Sequence, residues 1–344
     1  MNRRTFVIDS VLAVGALASA RIGSFFYSIT GDRPQIKAQS LALSQLIHEL
    51  SQYDAIHLGE GHPNKAYLHD RISGTSTVDD FVDLVLPLFS DTQFVSRPYS
   101  LLRTEYLPGE VDVRGKAFIV PGELANLDRT GEINPTETPI IYRETASCGA
   151  YSAQSAKRIA KVGHDLGYVV RGTLPPVDYL RLLERSAGID EAREHGLSEG
   201  QIRTFTKSGH LPEAIVNLAV SDHHLRLIRS DMQKGSRLII YGGAAHNDYD
   251  GLGDPLDLQL GIADRMQREF PGKYVSVDII KPSVIDTTSR YGQSYLRMLN
   301  FMGVGDPLNL DELRIAKLDP EVHFANYVVF LPKGEVLSKV VNVL

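Results

Sequence analysis

Apolar and polar positions along the 344-residue chain follow two alternating periodicities. Short runs rich in β-branched residues are typical of buried strands, and stretches with apolar residues three and four apart are typical of amphipathic helices. The pattern predicts strands over residues 54–58, 101–107, 117–120, 139–142, 168–172, 237–241, 274–280 and 326–331. It predicts helices over residues 39–52, 79–90, 152–167, 175–188, 213–234 and 257–270.

Strands and helices in alternation predict an α/β fold. We expect a layered, mainly parallel mixed sheet flanked by helices, with the site at the carboxyl-terminal ends of the strands. Residues 31–344 are predicted to form a single α/β domain, with a helical insertion or lid around residues 173–215 as an option. Residues 188–212 are polar and lack a clear apolar period, which favours a surface connection over a lid.

The first 30 residues are predicted to be a signal peptide or an N-terminal anchor. Arg3 and Arg4 precede a short apolar run that closes on small residues, which is the layout of an export signal. The arginine pair also resembles a bacterial twin-arginine signal. The prediction is an exported protein that is either periplasmic or associated with the membrane through an N-terminal anchor. An N-terminal helix that packs on the domain is the alternative.

Composition and charge narrow the classes of partner. A hydrophobic fraction of 43% is enough for a large core, and a net charge of -6 with scattered basic residues argues against nucleic acid. Cys148 is the single cysteine, so intramolecular disulfides and cysteine-based metal clusters are excluded. Cys148 lies at a predicted helix start, where a thiolate can be activated, but tight packing is the preferred interpretation.

Two predicted strands end in the same motif, Gly-x-x-His. The first is "HLGEGH", which contains Gly59, and the second is "YGGAAH", which contains Gly243. A third strand, "LLRTEYLP", delivers a glutamate just before the chain turns. Because loops converge at the carboxyl ends of parallel strands, we expect one cleft to hold the four chemically active side chains, Glu60, His62, Glu105 and His246.

Two imidazoles and two carboxylates permit two kinds of site. One is a divalent metal site with nitrogen and oxygen ligands from Glu60, His62 and His246. The other is a metal-free acid/base pair that acts on water. Both indicate hydrolysis. Arg143 and Glu144 follow another predicted strand and are expected to line the same cleft.

The three motifs resemble those of the erythromycin esterase, ChaN and Tiki superfamily. The resemblance extends over residues 50–110 and 235–285, and includes "LIIYGGAAHNDYDGLGDPLDLQLGIADRM". It implies an α/β fold with functional residues at Glu60, His62, Glu105 and His246. Some members of the superfamily hydrolyse esters, and others look like metal-dependent proteases. The ChaN branch is linked to haem binding and iron uptake at the bacterial envelope. Members commonly carry an arginine in the helix before the second histidine motif, where this chain has "SDHH".

The predicted function is hydrolysis of an ester or amide carbonyl in a small-molecule or peptide substrate. His62 or a bound divalent ion activates water, Glu60 and Glu105 orient it, and His246 stabilises developing charge or serves as general acid. The alternative is a haem- or iron-binding envelope protein of the ChaN type without catalysis, with ligands drawn from the histidines or from Tyr106, Tyr241 and Tyr249. A catalytically silent interaction protein is a third option.

The remaining histidines are assigned mainly structural roles. His57 lies inside a predicted strand and is expected to be a core residue. His223 and His224 are neighbours on a predicted helix and point about 100° apart, so at most one of them reaches the site. His69 follows His62 by about two helical turns and is expected on a solvated helix face.

Overall fold

The structure is a computed structural model, and it describes most of the chain after residue 37. The described residues are 38–60, 81–91, 95, 97–109, 121–133, 149–175, 182–183, 185–186, 188–194, 196–209, 211–243, 262–284, 290–318 and 325–333. The first 30 residues, predicted as an export signal or anchor, and the strands predicted over 117–120 and 139–142 lie outside them. In the described part of the chain, no helix is both long enough and apolar enough to span a membrane.

Eight strands form a single mixed sheet. They are β1 (Ala38–Ser40), β2 (Ala55–Glu60), β3 (Leu101–Pro108), β4 (Val169–Leu174), β5 (Leu238–Gly243), β6 (Tyr274–Ile280), β7 (Arg314–Leu318) and β8 (Tyr327–Phe330). Their order across the sheet is β1-β7-β8-β6-β2-β5-β3-β4. The six strands from β8 to β4 are parallel, and β7 and β1 pair antiparallel at one edge. The predicted α/β class with a mainly parallel mixed sheet is confirmed.

The described residues also form nine α-helices, numbered in chain order. They are α1 (Leu43–Leu50), α2 (Leu86–Ser90), α3 (Pro121–Thr130), α4 (Gly149–Asp165), α5 (Ile189–Glu194), α6 (Glu199–Ser208), α7 (Leu211–Gln233), α8 (Ala263–Glu269) and α9 (Arg290–Phe301). A π-helical turn, Phe81–Val85, leads into α2.

Helices cover both faces of the sheet, as expected for parallel strands that are apolar on both sides. On the first face, α1, α2 and α4 pack on alternate residues of the central strands, such as Leu58 and Tyr241. On the second face, α7 and α8 pack on the other alternate residues, such as Leu238 and Ile240. We call this second face the α7 face.

Helix α7 runs antiparallel to β3 and extends past its carboxyl end. Asp231, near the end of α7, pairs with Arg103, and His223, two turns earlier, lies against Gly109 just after β3. From Asp231 back to Leu211 the helix is about 30 Å long, whereas β3 from Arg103 to Pro108 spans about 17 Å. The amino-terminal half of α7 therefore projects beyond the sheet.

That projecting half carries its own small core. It packs with α5 and α6 around buried residues that include Ile202, Phe205 and Ile215. We call α5, α6 and residues 211–220 of α7 the helical unit. Helices thus occupy a segment whose sequence pattern favoured a surface connection. A capping box marks the start of α6, since the Ser198 side chain accepts from the Gln201 N–H while the Gln201 side chain accepts from the Ser198 N–H.

The strands β1 and β7 and the helices α3 and α9 were also missing from the pattern-based prediction. Strand β1 has three residues, too few to show a period. Helix α9 carries Tyr295, Met298 and Leu299 at helical spacing on its buried side. The signal for α9 was therefore present in the sequence.

Candidate functional site

The two glycine-rich strand ends lie side by side. Strands β2 and β5 are parallel neighbours, with Gly59 level with Gly242 and Glu60 level with Gly243. Adjacent strands are about 4.8 Å apart. In this strand order the chain goes from β2 past β5 to β3, and from β5 past β2 to β6, so the two connections run in opposite directions at this point. Such a switch point is where open α/β sheets bind ligands.

Glu105 reaches this point from β3, the strand on the other side of β5. A Cβ atom placed on Gly242 would lie 2.9 Å from both Cδ and Oε2 of Glu105. The Glu105 carboxyl group therefore lies across the glycine on the α7 face of the sheet. Only glycine leaves room for this approach. The structure thus brings together Gly59, Gly242 and Glu105 of the predicted motifs.

A β-bulge surrounds Glu105. Thr104 is level with Gly172 of β4, and Pro108 is level with Leu174, so the three residues between them on β3 face the single residue Thr173 on β4. Bulges next to functional sites redirect side chains. Thr173 is fully buried, and its hydroxyl has no hydrogen-bond partner among the described residues.

A second carboxylate lies on the same row of the sheet. Asp278 of β6 is level with Gly59, so the row runs Glu105, Gly242, Gly59, Asp278 across four strands. The two glycines leave the sheet surface bare between the two acids. Asp278 is fully buried and accepts a hydrogen bond from the Tyr295 hydroxyl at 2.8 Å. The sequence analysis did not identify Asp278, although an acidic residue within a mostly apolar strand indicates a buried carboxyl group with a specific partner or function.

Two buried imidazoles approach the same end of the sheet from α7. His223 and His224 are each 1% exposed. The Nε2 atom of His223 is 2.7 Å from where a Cβ of Gly109 would lie, so this ring packs on the turn after β3. The preceding residue, Asp222, pairs with Arg265 of α8 at 2.8 Å.

Several predicted site residues lie outside the described part of the chain. These are His62, His246, Arg143 and Glu144, together with His69, Cys148 and Tyr249. Glu60 is described as the last residue of β2, level with Gly243 and with Ile279 of β6. In the part of the chain that the structure describes, no three His, Cys, Asp or Glu side chains come together as a metal site.

His57 and Tyr241, which were also considered in the sequence analysis, are buried in the packed interior. His57 is buried, and its Nδ1 atom is 2.8 Å from the Tyr274 hydroxyl, which fits the predicted core role. Tyr241, one of the tyrosines considered as a haem ligand, is fully buried. Its ring stacks on Phe81 at 3.8 Å between centroids and on Tyr106 at 5.9 Å.

Solved structures with a similar fold include both kinds of protein that the sequence motifs resemble. ChaN of Campylobacter jejuni, in a structure that describes cofacial haem binding, is 11% identical, with a TM-score of 0.38 over 84% of this chain and 91% of ChaN. A mutant of the erythromycin esterase EreC in its open conformation is 9% identical, with a TM-score of 0.37 over 86% of this chain and 94% of EreC.

A protein from Bacillus cereus is 11% identical, with a TM-score of 0.39 over 86% of this chain and 94% of that one. No protein-family model matches the chain, and no curated protein is similar to it in sequence. The residues of this chain are therefore the basis for assigning a function to it.

Proposed function

We propose that the protein is a hydrolase that activates water at the carboxyl ends of β2, β5 and β3, and attacks an ester or amide carbonyl. One observation carries the proposal: the two glycine turns that precede His62 and His246 leave neighbouring strands at the same level, and the Glu105 carboxyl group lies across one of them. An acid beside a strand-end crevice is suited to orient or deprotonate a water molecule.

The proposed roles follow from that placement. Glu105 holds the attacking water, and His62 accepts its proton. His246, three residues beyond Gly243, donates a hydrogen bond or a proton to the oxygen that becomes charged. Glu60 orients the water or the base. A divalent ion held by Glu60, His62 and His246 would lower the pKa of the water.

The test is hydrolysis of p-nitrophenyl esters and of a fluorogenic peptide by the purified full-length protein. We expect Glu105→Gln to lower kcat/KM about 100-fold or more, because a neutral amide holds the attacking water less strongly than the carboxylate does. Glu132→Gln is the matched control, since Glu132 is an exposed glutamate on a loop away from this strand end. Equal turnover in wild type and Glu105→Gln, or no turnover of any probe, would overturn the proposal.

Elemental analysis and a visible absorption spectrum of the same preparation address the two cofactor alternatives. Turnover that is lost with a chelator and restored by a divalent ion would assign the metal-assisted mechanism. A Soret band without turnover would instead assign the haem-binding alternative. If the preparation shows neither a Soret band nor turnover, the remaining alternative is a catalytically silent interaction protein.

A further inference from the structure

We propose that Thr173 of β4 is a positioning residue of this site. Its hydroxyl anchors a buried water molecule beside the β3 bulge, and this water fixes the strand segment that carries Glu105. The effect on catalysis rests on the proposed function, whereas the buried water does not. Thr173 lies outside the three sequence motifs, on a strand that carries none of the predicted site residues.

The register of the sheet places Thr173 beside Glu105. Strands β3 and β4 are parallel neighbours, and Thr104 is level with Gly172. One step further along each strand lie Glu105 and Thr173, at the start of the bulge. Because adjacent strands are about 4.8 Å apart, Thr173 borders the bulged segment directly.

Both side chains belong to the α7 face of the sheet. Val170 of β4 packs in the core of the first face, so strand alternation directs Thr173 to the opposite one, where α7 packs on β4. Arg103, two residues before Glu105, lies on the α7 face and pairs with that helix. Its Nη1 donates to the Gly172 carbonyl at 2.9 Å, so the α7 face continues from β3 onto β4 at this level.

The Thr173 hydroxyl is the buried polar group that needs a partner here. Thr173 is fully buried, and its Oγ1 makes no hydrogen bond to the described residues. Thr104, equally buried on the other strand, differs, since its Oγ1 accepts from the Tyr106 N–H at 3.2 Å. A buried hydroxyl without a partner costs folding free energy, and most such groups bind protein or an ordered water.

The bulge supplies the other partners that a water needs. Three residues of β3 face the single residue Thr173, which interrupts the regular spacing of the ladder hydrogen bonds. A backbone carbonyl has two lone pairs, so the carbonyls of residues 105–107 can accept from a water whatever other bonds they make. A buried water makes about three hydrogen bonds. The Thr173 hydroxyl and the bulged backbone together provide them.

The proposed water acts on the direction in which Glu105 points. The Glu105 carboxyl group leans away from β4 and across Gly242, with Cδ and Oε2 each 2.9 Å from where a Cβ of that glycine would lie. Bulges redirect the side chains of the strand that carries them. A water that joins Thr173 to the bulged backbone keeps this segment, and with it the carboxyl group, in one conformation.

The first experiment does not depend on catalysis. Crystal structures of the full-length wild type, Thr173→Ser and Thr173→Val show whether an ordered water lies within hydrogen-bond distance of the residue. We expect this water in the wild type and in Thr173→Ser, with a second hydrogen bond to the backbone of residues 105–107, and we expect it to be lost in Thr173→Val. A wild-type hydroxyl without a water, or a water that stays in place in Thr173→Val, would overturn the inference.

Thermal melting gives an independent answer through its sign. Valine has nearly the shape of threonine but no hydroxyl, so Thr173→Val removes one partner of the water, and we expect the melting midpoint to fall by about 2 °C. If the hydroxyl had no partner at all, the same substitution would remove a desolvation cost and raise the midpoint, which would contradict the inference. Thr204→Val, on the exposed side of α6, is the control and should change little.

Ester hydrolysis tests the positioning role. We expect Thr173→Val to lower kcat about fivefold with KM nearly unchanged, because the water orients Glu105 and does not touch the substrate. Thr173→Ser should keep most of the rate. In a Glu105→Gln background Thr173→Val should have almost no further effect, since it acts through that carboxyl group. An equal loss in both backgrounds, or no loss in the wild type, would contradict the positioning role.

The experiments separate this inference from the proposed hydrolysis. An ordered water on Thr173 in a protein that hydrolyses no ester would leave the water site standing and would overturn the hydrolase. Turnover that depends on Glu105 but not on Thr173, in a protein without that water, would overturn the inference alone.

Discussion

At the scale of single residues, Gly242 is the position where the backbone limits the placement of a candidate catalytic side chain, Glu105. Its Cα faces the Glu105 carboxyl group, which occupies the space that a side chain would need. We expect Gly242→Ala to displace Glu105, to lower kcat/KM about as much as Glu105→Gln does, and to destabilise the fold by about 1–3 kcal/mol through overpacking. Urea unfolding and ester hydrolysis measure the two effects.

A double-mutant cycle tests that explanation. In a Glu105→Ala background the methyl group added by Gly242→Ala would meet no carboxyl group, so the substitution should cost much less unfolding free energy than it does in the wild type. An equal cost in both backgrounds would mean that the substitution acts on the strand itself. Gly200→Ala is the control for an exposed glycine, since only a distant Ser198 Oγ, at 3.9 Å, faces the added carbon.

At the scale of elements, Glu49 joins α1 to the antiparallel edge of the sheet. Its Oε2 atom accepts from Lys317 Nζ of β7 at 2.6 Å and from the Tyr327 hydroxyl of β8. The Lys317 hydrogen bond, and after it the Tyr327 hydrogen bond, hold the pKa of the Glu49 carboxyl below its ordinary value. The carboxylate therefore stabilises the folded state at pH values above its unfolded pKa.

We expect Glu49→Gln to lower the free energy of unfolding at neutral pH. The difference between the two proteins should shrink as the pH falls below about 4, where the wild-type carboxyl group becomes protonated. Urea unfolding at a series of pH values measures it, with Glu132→Gln as the exposed control. A difference that stays constant with pH would mean that the charge of Glu49 contributes nothing.

Element types were predictable from the sequence where burial imposes a period. The buried strands β2, β3, β5 and β6 appear as apolar runs, and α4 and α7 appear as helical spacing, because each must cover or be covered by the core. The short strand β1 and the helices α5 and α6 were missed. Strand β1 is short and pairs with the distant β7, whereas α5 and α6 bury only a few apolar residues against each other and against α7. For α6, the capping box of Ser198 and Gln201 was the stronger local signal.

At the scale of the whole molecule, α7 links two cores, one beneath the sheet face and one in the helical unit. Phe205 is 1% exposed at the centre of the helical unit. We expect Phe205→Ala to cost about 3–5 kcal/mol locally and to speed amide hydrogen exchange in α5 and α6, while β2, β5 and β6 stay protected. Hydrogen exchange followed by mass spectrometry measures this.

Phe330→Ala is the matched control, because Phe330 is equally buried but belongs to β8. We expect Phe330→Ala, unlike Phe205→Ala, to speed amide hydrogen exchange in the strands of the sheet. If Phe205→Ala raises exchange in the sheet and the helical unit to the same extent, the two cores unfold as one cooperative unit.

The candidate site was predictable only in part. Glycine and acid residues at strand ends pointed to Gly59, Glu60, Glu105 and Gly243, because ligand chemistry in parallel sheets gathers at that edge. Asp278 and Thr173 could not be placed with them, since their neighbours are set by strand order and by a bulge. His223 and His224 could not be placed at this edge by spacing alone, because their surroundings depend on how α7 crosses β3.

The sequence by itself determined the α/β class, the core strands and the strand-end chemistry, because apolar periodicity and glycine turns are local properties of the chain. Tertiary structure alone decided that β5 lies between β2 and β3, that Glu105 crosses Gly242, and that α7 carries a buried histidine pair to the same edge. These follow from long-range pairing and packing, in which residues more than a hundred positions apart become neighbours through burial of the whole core.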